Sequence, residues 1–153
     1  MGNILNDDFR EFIQTLNGNN VEYLLVGGYS VIAYGYSRTT GDMDIWVKRT
    51  KKNYQKLVKA FKQFRMPVFQ MTQDNFLHHP RWDVFRFGRK PVAIDIMIKI
   101  KGLNFNDSLT NANSFTIDGI EIKMIKYSDL IKSKKASGRP KDIDDIEGLE
   151  MQK

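Results

Sequence analysis

The chain has 153 residues and a mass of 17.8 kDa, which is the size of one compact domain. Lys and Arg number 24 against 18 Asp and Glu, and the resulting charge of +6 favours anionic partners. The absence of cysteine excludes disulfides, thiolate metal sites and cysteine nucleophiles, and the apolar runs are too short to span a membrane. The acidic amino terminus does not resemble a secretory leader, so we expect a cytoplasmic protein.

The amino-terminal part of the chain predicts a helix, a strand and a second, short helix. The first helix is indicated by an N-cap at Asn6 or Asp7 and by one apolar face, formed by Phe9, Phe12, Ile13 and Leu16. A β-forming run at 21–26 ends at Gly27 and Gly28, which predicts a buried strand that opens into a glycine turn. Residues 29–34 then supply the second helix.

The middle of the chain predicts strands that carry acids. After a polar loop at 35–41, apolar and polar residues alternate, so that Asp42 and Asp44 face the same side of a strand. A basic, amphipathic helix is expected at 51–64. Two strands, at 84–87 and 92–100, then form a hairpin around a turn at 88–91, with Asp95 in the second strand.

The carboxyl-terminal part predicts a helical turn at 106–113, a hairpin at 115–125 around Asp118-Gly119, and two helices. Ser128 is the expected N-cap of the first of these helices, and Gly138 separates it from the second, which ends near Glu150. We therefore expect one α+β domain over residues 1–153, with a small mixed sheet flanked by helices. Its core would span about 20–100, and the carboxyl-terminal helical pair about 128–150.

Three aspartates form the candidate metal site. Residues i and i+2 of a strand project to one face, so Asp42 and Asp44 can bind the same hard cation. Asp95 completes a three-acid cluster if its strand pairs beside theirs. Clustered carboxylates raise one another's pKa, whereas magnesium offsets their repulsion and also binds triphosphate oxygens. Acids at the same spacing also occur at 142/144 and 145/147, so the spacing alone does not identify a metal site. Asp42 and Asp44 are favoured because their strand follows a strand that ends in two glycines, a short helix and a loop.

Gly27 and Gly28 indicate a phosphate site. Glycines at the end of a strand let the backbone approach an anion closely, and the helix that follows points its free N–H groups at that anion. Ser30 adds a hydroxyl donor. Taken alone, the glycine pair is also consistent with a simple turn at the end of a strand.

Together these residues resemble the signature of the nucleotidyltransferase superfamily, which has the polymerase beta-like fold. The matching segments are Val26-Gly27-Gly28, a thirteen-residue spacer at 29–41, Asp42-Met43-Asp44-Ile45 and a third-acid motif at Ile94-Asp95-Ile96. Within the superfamily, residues 27–47 look most like the abortive-infection AbiEii-like toxins and their small bacterial relatives. A basic-then-acidic tail is similar as well, and it comprises Lys134, Arg139, Asp142 and Asp145.

The resemblance implies transfer of a nucleoside monophosphate from a nucleoside triphosphate, ATP or GTP, to an acceptor, with release of pyrophosphate. Asp42, Asp44 and Asp95 would hold two magnesium ions, and Asp95 would help deprotonate the acceptor hydroxyl. The residues that would seat the phosphates are Gly27, Gly28 and Ser30. The cations that would neutralise the pyrophosphate are Lys134, Arg139 and Arg38. Asp142 would either orient one of these cations or favour the start of the last helix.

The acceptor implied by the resemblance is an RNA, a protein or a small molecule, and a toxin role would add a cognate antitoxin as partner. Two other functions stay open: a catalytically silent nucleotide-binding or antitoxin-like partner protein, and a basic nucleic-acid binder. Basic residues at 48–65 are consistent with an RNA track or with a soluble lysine face. The aromatic residues at 82–87 are consistent with base stacking or with a core. The acidic run at 142–147 is either a solvated face or a partner of nearby cations, and His78-His79 is expected in a polar loop.

Overall fold

The computed structural model describes residues 5–89 and 92–152. Over these residues six strands form one mixed sheet: β1 (Tyr23–Val26), β2 (Asp42–Val47), β3 (Val84–Arg89), β4 (Val92–Met97), β5 (Asn113–Ile117) and β6 (Ile120–Met124). The strands lie in the order β3-β4-β2-β1-β6-β5. The pairs β2 with β4 and β1 with β6 are parallel, and the other neighbours are antiparallel.

Seven helices in the same part of the chain connect and cover the strands: α1 (Asp7–Gly18), α2 (Gly27–Ala33), α3 (Lys51–Gln63), α4 (Gln73–His78), α5 (Phe105–Asn111), α6 (Tyr127–Ser137) and α7 (Pro140–Glu150). This architecture confirms the predicted α+β class, with a small mixed sheet and a carboxyl-terminal pair of helices. None of the helices described here is long and apolar enough to cross a membrane.

Both faces of the sheet are buried, each by its own apolar cluster. On one face Met43 and Ile45 of β2 pack with side chains from α1, α3 and α4. On the other face Trp46 packs with side chains from α2, α6 and α7. Asp42 and Asp44 lie at even spacing from Trp46, so they share this second face. The alternation of β2 therefore places both acids on the side of the carboxyl-terminal helices.

The basic face of α3 lies on the opposite layer of the molecule from these acids. The helix packs into the first cluster through Leu57 and Phe61, and its lysines at 52, 59 and 62 are exposed. Both interpretations of these lysines stay open, but an RNA track along α3 would lie on the other side of the sheet from the acids. Phe85 and Phe87 of β3 are buried in the same cluster, so of the two interpretations of the aromatic run they fit a core.

Two local predictions at helix and hairpin ends are confirmed. Asn6 is the N-cap of α1, and its side chain accepts a hydrogen bond from the N–H of Phe9 at 2.9 Å. The hairpin of β5 and β6 turns at Asp118 and Gly119, which adopt φ values of 52° and 80°. Asp and Gly tolerate this left-handed conformation better than most residues, so the turn residues determine where the hairpin closes.

Other local predictions are wrong. Helix α2 begins at Gly27 rather than at residue 29, because the glycines let the chain turn directly out of β1. Helix α6 begins at Tyr127, with Lys126 in the N-cap position, so Ser128 lies inside the helix. The predicted polar loop at His78 is in part a helix, since Thr72 caps α4 by accepting a hydrogen bond from the Asn75 N–H at 3.2 Å.

The hairpin of β3 and β4 has a different register from the predicted one. A turn at 88–91 would place Val84 opposite Asp95, whereas in the structure Arg86 faces Asp95. The reason is that β3 continues through residue 89 and β4 begins at residue 92, which shifts the pairing by two residues. Lys90 and Pro91 of the predicted turn lie outside the described residues.

Candidate active site

A row of charged side chains crosses the sheet where β1 ends. Arg86 of β3 faces Asp95 of β4, and Asp95 faces Asp44 of β2. Asp44 in turn faces Val26 of β1, the residue before Gly27. Matched positions on neighbouring strands project to the same face of a sheet. The parallel pairing of β2 with β4 therefore places Asp44 and Asp95 side by side, which is the arrangement that the predicted acid cluster required.

Arg86 is a site residue that the sequence did not reveal. Its Nε lies 2.8 Å from Asp95 Oδ1, and its Nη2 lies 3.0 Å from Asp95 Oδ2 and 3.1 Å from Asp42 Oδ2. The hydrogen bonds and charge of Asp95, with the charge of Asp42, raise the pKa of Arg86 further above its usual range. The signal that could have found it was the hairpin register, because pairing of residues 84–89 with residues 92–97 places Arg86 opposite Asp95.

Asp44 is the acid under the greatest electrostatic strain. Burial, followed by the charges of Asp95 and Asp42, raises its pKa to about 7. In the part of the chain that the structure describes, Asp42 also lacks a partner for one of its two carboxylate oxygens. Among the described residues, nothing donates a hydrogen bond to its buried Oδ1. Oxygen donors in this state suit a hard divalent cation such as magnesium, which prefers carboxylate ligands.

The three acids do not form a ready-made metal site. Within residues 5–89 and 92–152, no group of three or more Asp, Glu and His side chains is arranged to hold a metal ion. Two of the acids pair with Arg86 instead, which contacts both oxygens of Asp95 and one oxygen of Asp42. Three aspartates are therefore suitable ligands for magnesium, but the side chains of Asp95 and Asp42 are oriented by their contacts with the Arg86 guanidinium.

The glycine turn lies against these acids with no space for side chains. Gly27 has a φ of 68°, and a Cβ added there would collide with the carboxylate of Asp44. A Cβ on Gly28 would collide with the hydroxyl of Thr40. Ser30 is fully buried, and its hydroxyl donates to the carbonyl of Gly27 at 2.6 Å. Ser30 thus shapes the turn, and its hydroxyl does not face the cleft.

Helices α6 and α7 join the site through a buried network of ion pairs. The Nζ of Lys134 lies 2.8 Å from Asp145 Oδ2 and 3.4 Å from Asp142 Oδ1. Arg38, from the loop before β2, reaches the same Asp145 with its Nε 2.7 Å from Oδ1. Both interpretations of the acidic run therefore apply, since Asp142 and Asp145 are buried against cations and Asp144 is exposed.

Arg139 is held at the edge of the site by Asp142. Its Nε lies 2.9 Å from Asp142 Oδ2, and its backbone N–H donates to the same oxygen at 3.2 Å. Burial alone would raise the pKa of Asp142, but hydrogen bonds from Arg139 and Ser137 and the charge of Lys134 outweigh it and lower the pKa to about 2. The Arg139 side chain is 69% exposed, so its guanidinium is accessible to an anion. Asp142 therefore orients Arg139 and Lys134, and it also lies in the first turn of α7.

Two adjoining clefts meet at Asp44 and Arg139. The more polar one, of about 520 Å³, holds the acids, and its lining includes Gly28, Arg38, Thr40, Arg86 and Lys141. The second, of about 180 Å³, lies between β4 and α6, and its lining includes Gly27, Met97, Leu130 and Lys134. All predicted site residues except Ser30 line one of these clefts. Thr40 and Lys141 join Arg86 as lining residues that the sequence did not indicate.

Comparison with solved structures finds the same fold in other proteins. A protein from Thermotoga maritima, described as a candidate nucleotidyltransferase, has a TM-score of 0.58 and 12% identity, over 95% of this chain and 91% of that one. The lincosamide antibiotic adenylyltransferase LnuA, solved with lincomycin bound, has a TM-score of 0.60 and 16% identity, over 97% and 98%. An antigenic nucleotidyltransferase-like protein from Paracoccidioides brasiliensis has a TM-score of 0.52 and 14% identity, over 93% and 74%. At these identities the likeness shows the fold.

Comparison with the curated proteins yields no match. The family model described as "Nucleotidyl transferase of unknown function (DUF2204)" matches residues 5–152, which is nearly the whole chain. The matched region contains the glycine turn, the three acids and the network of α6 and α7. The chain therefore belongs to this family of nucleotidyltransferases, and its fold is the nucleotidyltransferase fold that the sequence signature implied.

Proposed function

We propose that this protein transfers a nucleoside monophosphate from a nucleoside triphosphate to an acceptor hydroxyl. The observation that supports the proposal most directly is the placement of Asp42, Asp44 and Asp95 on one face of the sheet, beside a glycine turn. In this reaction the acceptor oxygen bonds to the α-phosphorus as the bond from that phosphorus to the β-phosphate oxygen breaks, so pyrophosphate leaves. The hydroxyl proton passes to a carboxylate, and Asp95 is the proposed base.

The proposed magnesium ligands are Asp42 and Asp44 for one ion, with Asp95 completing the site for a second. Bound magnesium would neutralise charge on the triphosphate and polarise the reacting phosphoryl group. Burial, followed by the charges of Asp95 and Asp42, raises the pKa of Asp44 to about 7, and a bound cation would offset that repulsion. Gly27 leaves room for Asp44, because a side chain at this position would occupy the space of the Asp44 carboxylate.

The proposed phosphate site combines the backbone of the glycine turn with cations from the neighbouring loop and helices. Gly27 and Gly28 line the two clefts at positions where no β-carbon fits, and the Ser30 hydroxyl holds the turn by donating to the carbonyl of Gly27. Arg139 is the best placed cation for the leaving pyrophosphate, because its guanidinium lines both clefts and is exposed. Lys134 and Arg38 line the clefts as well, but Asp145 holds both of them.

The donor and acceptor are proposed from the comparisons. One structural neighbour is an adenylyltransferase that acts on a lincosamide antibiotic, so ATP and a small-molecule acceptor are the first pair to test. GTP as donor, and an RNA or a protein as acceptor, are the other candidates. The similarity of residues 27–47 to AbiEii-like toxins supports a toxin with a cognate antitoxin as a further proposal.

The test is transfer of label from each α-³²P nucleoside triphosphate, with magnesium, to components of a cell extract separated by size and class. We expect one triphosphate to label one acceptor class, and EDTA to abolish the labelling. Nucleotide binding with no transfer under any condition would instead identify a catalytically silent partner protein. RNA binding that weakens with salt and ignores the acids would identify a nucleic-acid binder and contradict the proposal.

Replacement of Gly27 by Ala is expected to reduce transfer by about 10²-fold or more. The added methyl group would displace the Asp44 carboxylate, and misplacement of a reacting group by about 1 Å costs this much. The positive φ adds a conformational cost of about 1 kcal/mol. Label transfer and urea unfolding measure the two effects. Gly18→Ala is the matched control, since nothing lies within 4 Å of its added Cβ, and equal rates in the two variants would contradict the proposed role of the turn.

A further inference from the structure

Arg86 bridges two of the acids, Asp95 and Asp42. Both nitrogens of its guanidinium edge pair with the two oxygens of Asp95, and Nη2 also reaches Asp42. A planar guanidinium with two parallel hydrogen bonds to one carboxylate is a strong, directional interaction. The pairing therefore fixes the rotamer of Asp95 and engages one of the two oxygens of Asp42.

The burial of the partners explains why a cation is needed there. The Asp95 side chain is only 10% exposed, and an ionised carboxylate at that depth is costly unless it is paired. Arg86 supplies the pairing from β3, the strand at the edge of the sheet. Its own side chain is 60% exposed, so it can leave the acids without any repacking of the core.

We propose that Arg86 is a resident counter-cation, which competes with a divalent ion for Asp95 and Asp42. The inference rests on the proposed function, since it assumes that these acids are metal ligands. The two cations compete because Arg86 engages both oxygens of Asp95 and one of the two oxygens of Asp42. A second divalent ion then binds only as the guanidinium moves away, and Arg86 acts as a positioning residue through Asp95 rather than as a catalytic residue.

The competition has a consequence for the order of binding. The anionic triphosphate attracts a guanidinium in the same bidentate manner as a carboxylate does. Arrival of the nucleotide therefore gives Arg86 an alternative partner and frees Asp95 for a metal ion. In the absence of nucleotide Arg86 keeps Asp95 paired and reduces the uncompensated charge of the cluster on β2 and β4.

The test is the affinity of the full chain for Mn²⁺ alone, measured from the free-ion signal in electron paramagnetic resonance without nucleotide. We expect Arg86→Gln to bind Mn²⁺ at least about tenfold more tightly than wild type, or to gain one further ion. Arg81→Gln is the control, because Arg81 is exposed and its loss changes the net charge equally. A merely structural role for Arg86 predicts the opposite sign, since disturbing the acids would weaken metal binding.

Arg86→Lys covers the case in which Arg86→Gln does not fold. It keeps the charge but loses the two-nitrogen edge, so we expect Mn²⁺ to bind more tightly than to wild type and less tightly than to Arg86→Gln. Affinities equal to those of wild type and Arg81→Gln would overturn the inference. Failure of the proposed function would give a separate result. In that case wild type with Mn²⁺ would bind neither α,β-methylene-ATP nor α,β-methylene-GTP, whatever the order of Mn²⁺ affinities among the variants.

Discussion

Asp44→Asn is expected to lower transfer of the nucleoside monophosphate by about 10³-fold or more while the fold is retained. Asn has the same shape but cannot supply the negative charge that a metal-bound triphosphate requires, and a metal ion is worth several kcal/mol to the transition state. Steady-state release of pyrophosphate with the preferred triphosphate measures the effect. Glu11→Gln, an exposed acid of α1, is the matched control and should keep the wild-type rate.

The same variant should be more stable than wild type when EDTA removes divalent ions. The folded pKa of Asp44 is about 7, whereas that of an unfolded Asp is about 3.9. Between these pH values the folded chain binds more protons than the unfolded chain, so the contribution of Asp44 to the unfolding free energy falls as pH rises from about 4 to about 7. Asp44→Asn removes this loss and should gain up to about 4 kcal/mol at pH 8, and less at pH 5.

Urea unfolding at the two pH values measures this gain. A variant that is inactive, more stable at pH 8 and little changed at pH 5 has lost a strained functional group. A loss of stability at pH 8 would contradict the account, because it would mean that Asp44 stabilises the fold and that the carboxylates are not repelling one another.

Asp145→Asn is expected to lower the unfolding free energy by about 3 kcal/mol. Asp145 is fully buried and shared by Lys134 and Arg38, so the variant leaves two cations, one of them buried, facing an uncharged amide. Urea unfolding at pH 7 measures the loss. The control is Asp144→Asn, one residue earlier in α7 and exposed, which should change stability by no more than about 0.5 kcal/mol.

Similar losses in Asp145→Asn and Asp144→Asn would show that the network of α6 and α7 contributes little to the fold. In that case the interpretation of Lys134 and Arg38 as residues held by Asp145 would be wrong. Both would then be free to contact phosphates directly. The pair of variants thus separates the structural role of these cations from the role that the resemblance implied for them.

The sequence was most informative where local patterns decide the structure. Period-two alternation placed Asp42 and Asp44 on one face, and Gly27 and Gly28 marked the end of β1. Asp95 was identified as the third acid from its apolar neighbours and from the resemblance. Its parallel pairing beside Asp44 could not be derived from spacing, because it joins strands that are distant in the chain.

Arg86 shows why the rest of the site could not be predicted. Its role depends on the register of a hairpin, and the predicted turn at 88–91 placed it two residues away from Asp95. The network of α6 and α7 was only partly foreseen. Contact of Asp142 with Lys134 or Arg139 was one of two interpretations, whereas the meeting of Arg38 with Asp145 needs the loop before β2 to lie against α7.

The most direct measurement of the central claim is a crystal structure with Mn²⁺ and α,β-methylene-ATP, in which anomalous scattering locates the ion. The account predicts an anomalous peak in contact with Asp42 and Asp44, with the triphosphate against the glycine turn at Gly27. It also predicts that Arg86 has left Asp42. An ion and triphosphate bound anywhere else, with Asp95 and Asp42 still paired with Arg86, would contradict it.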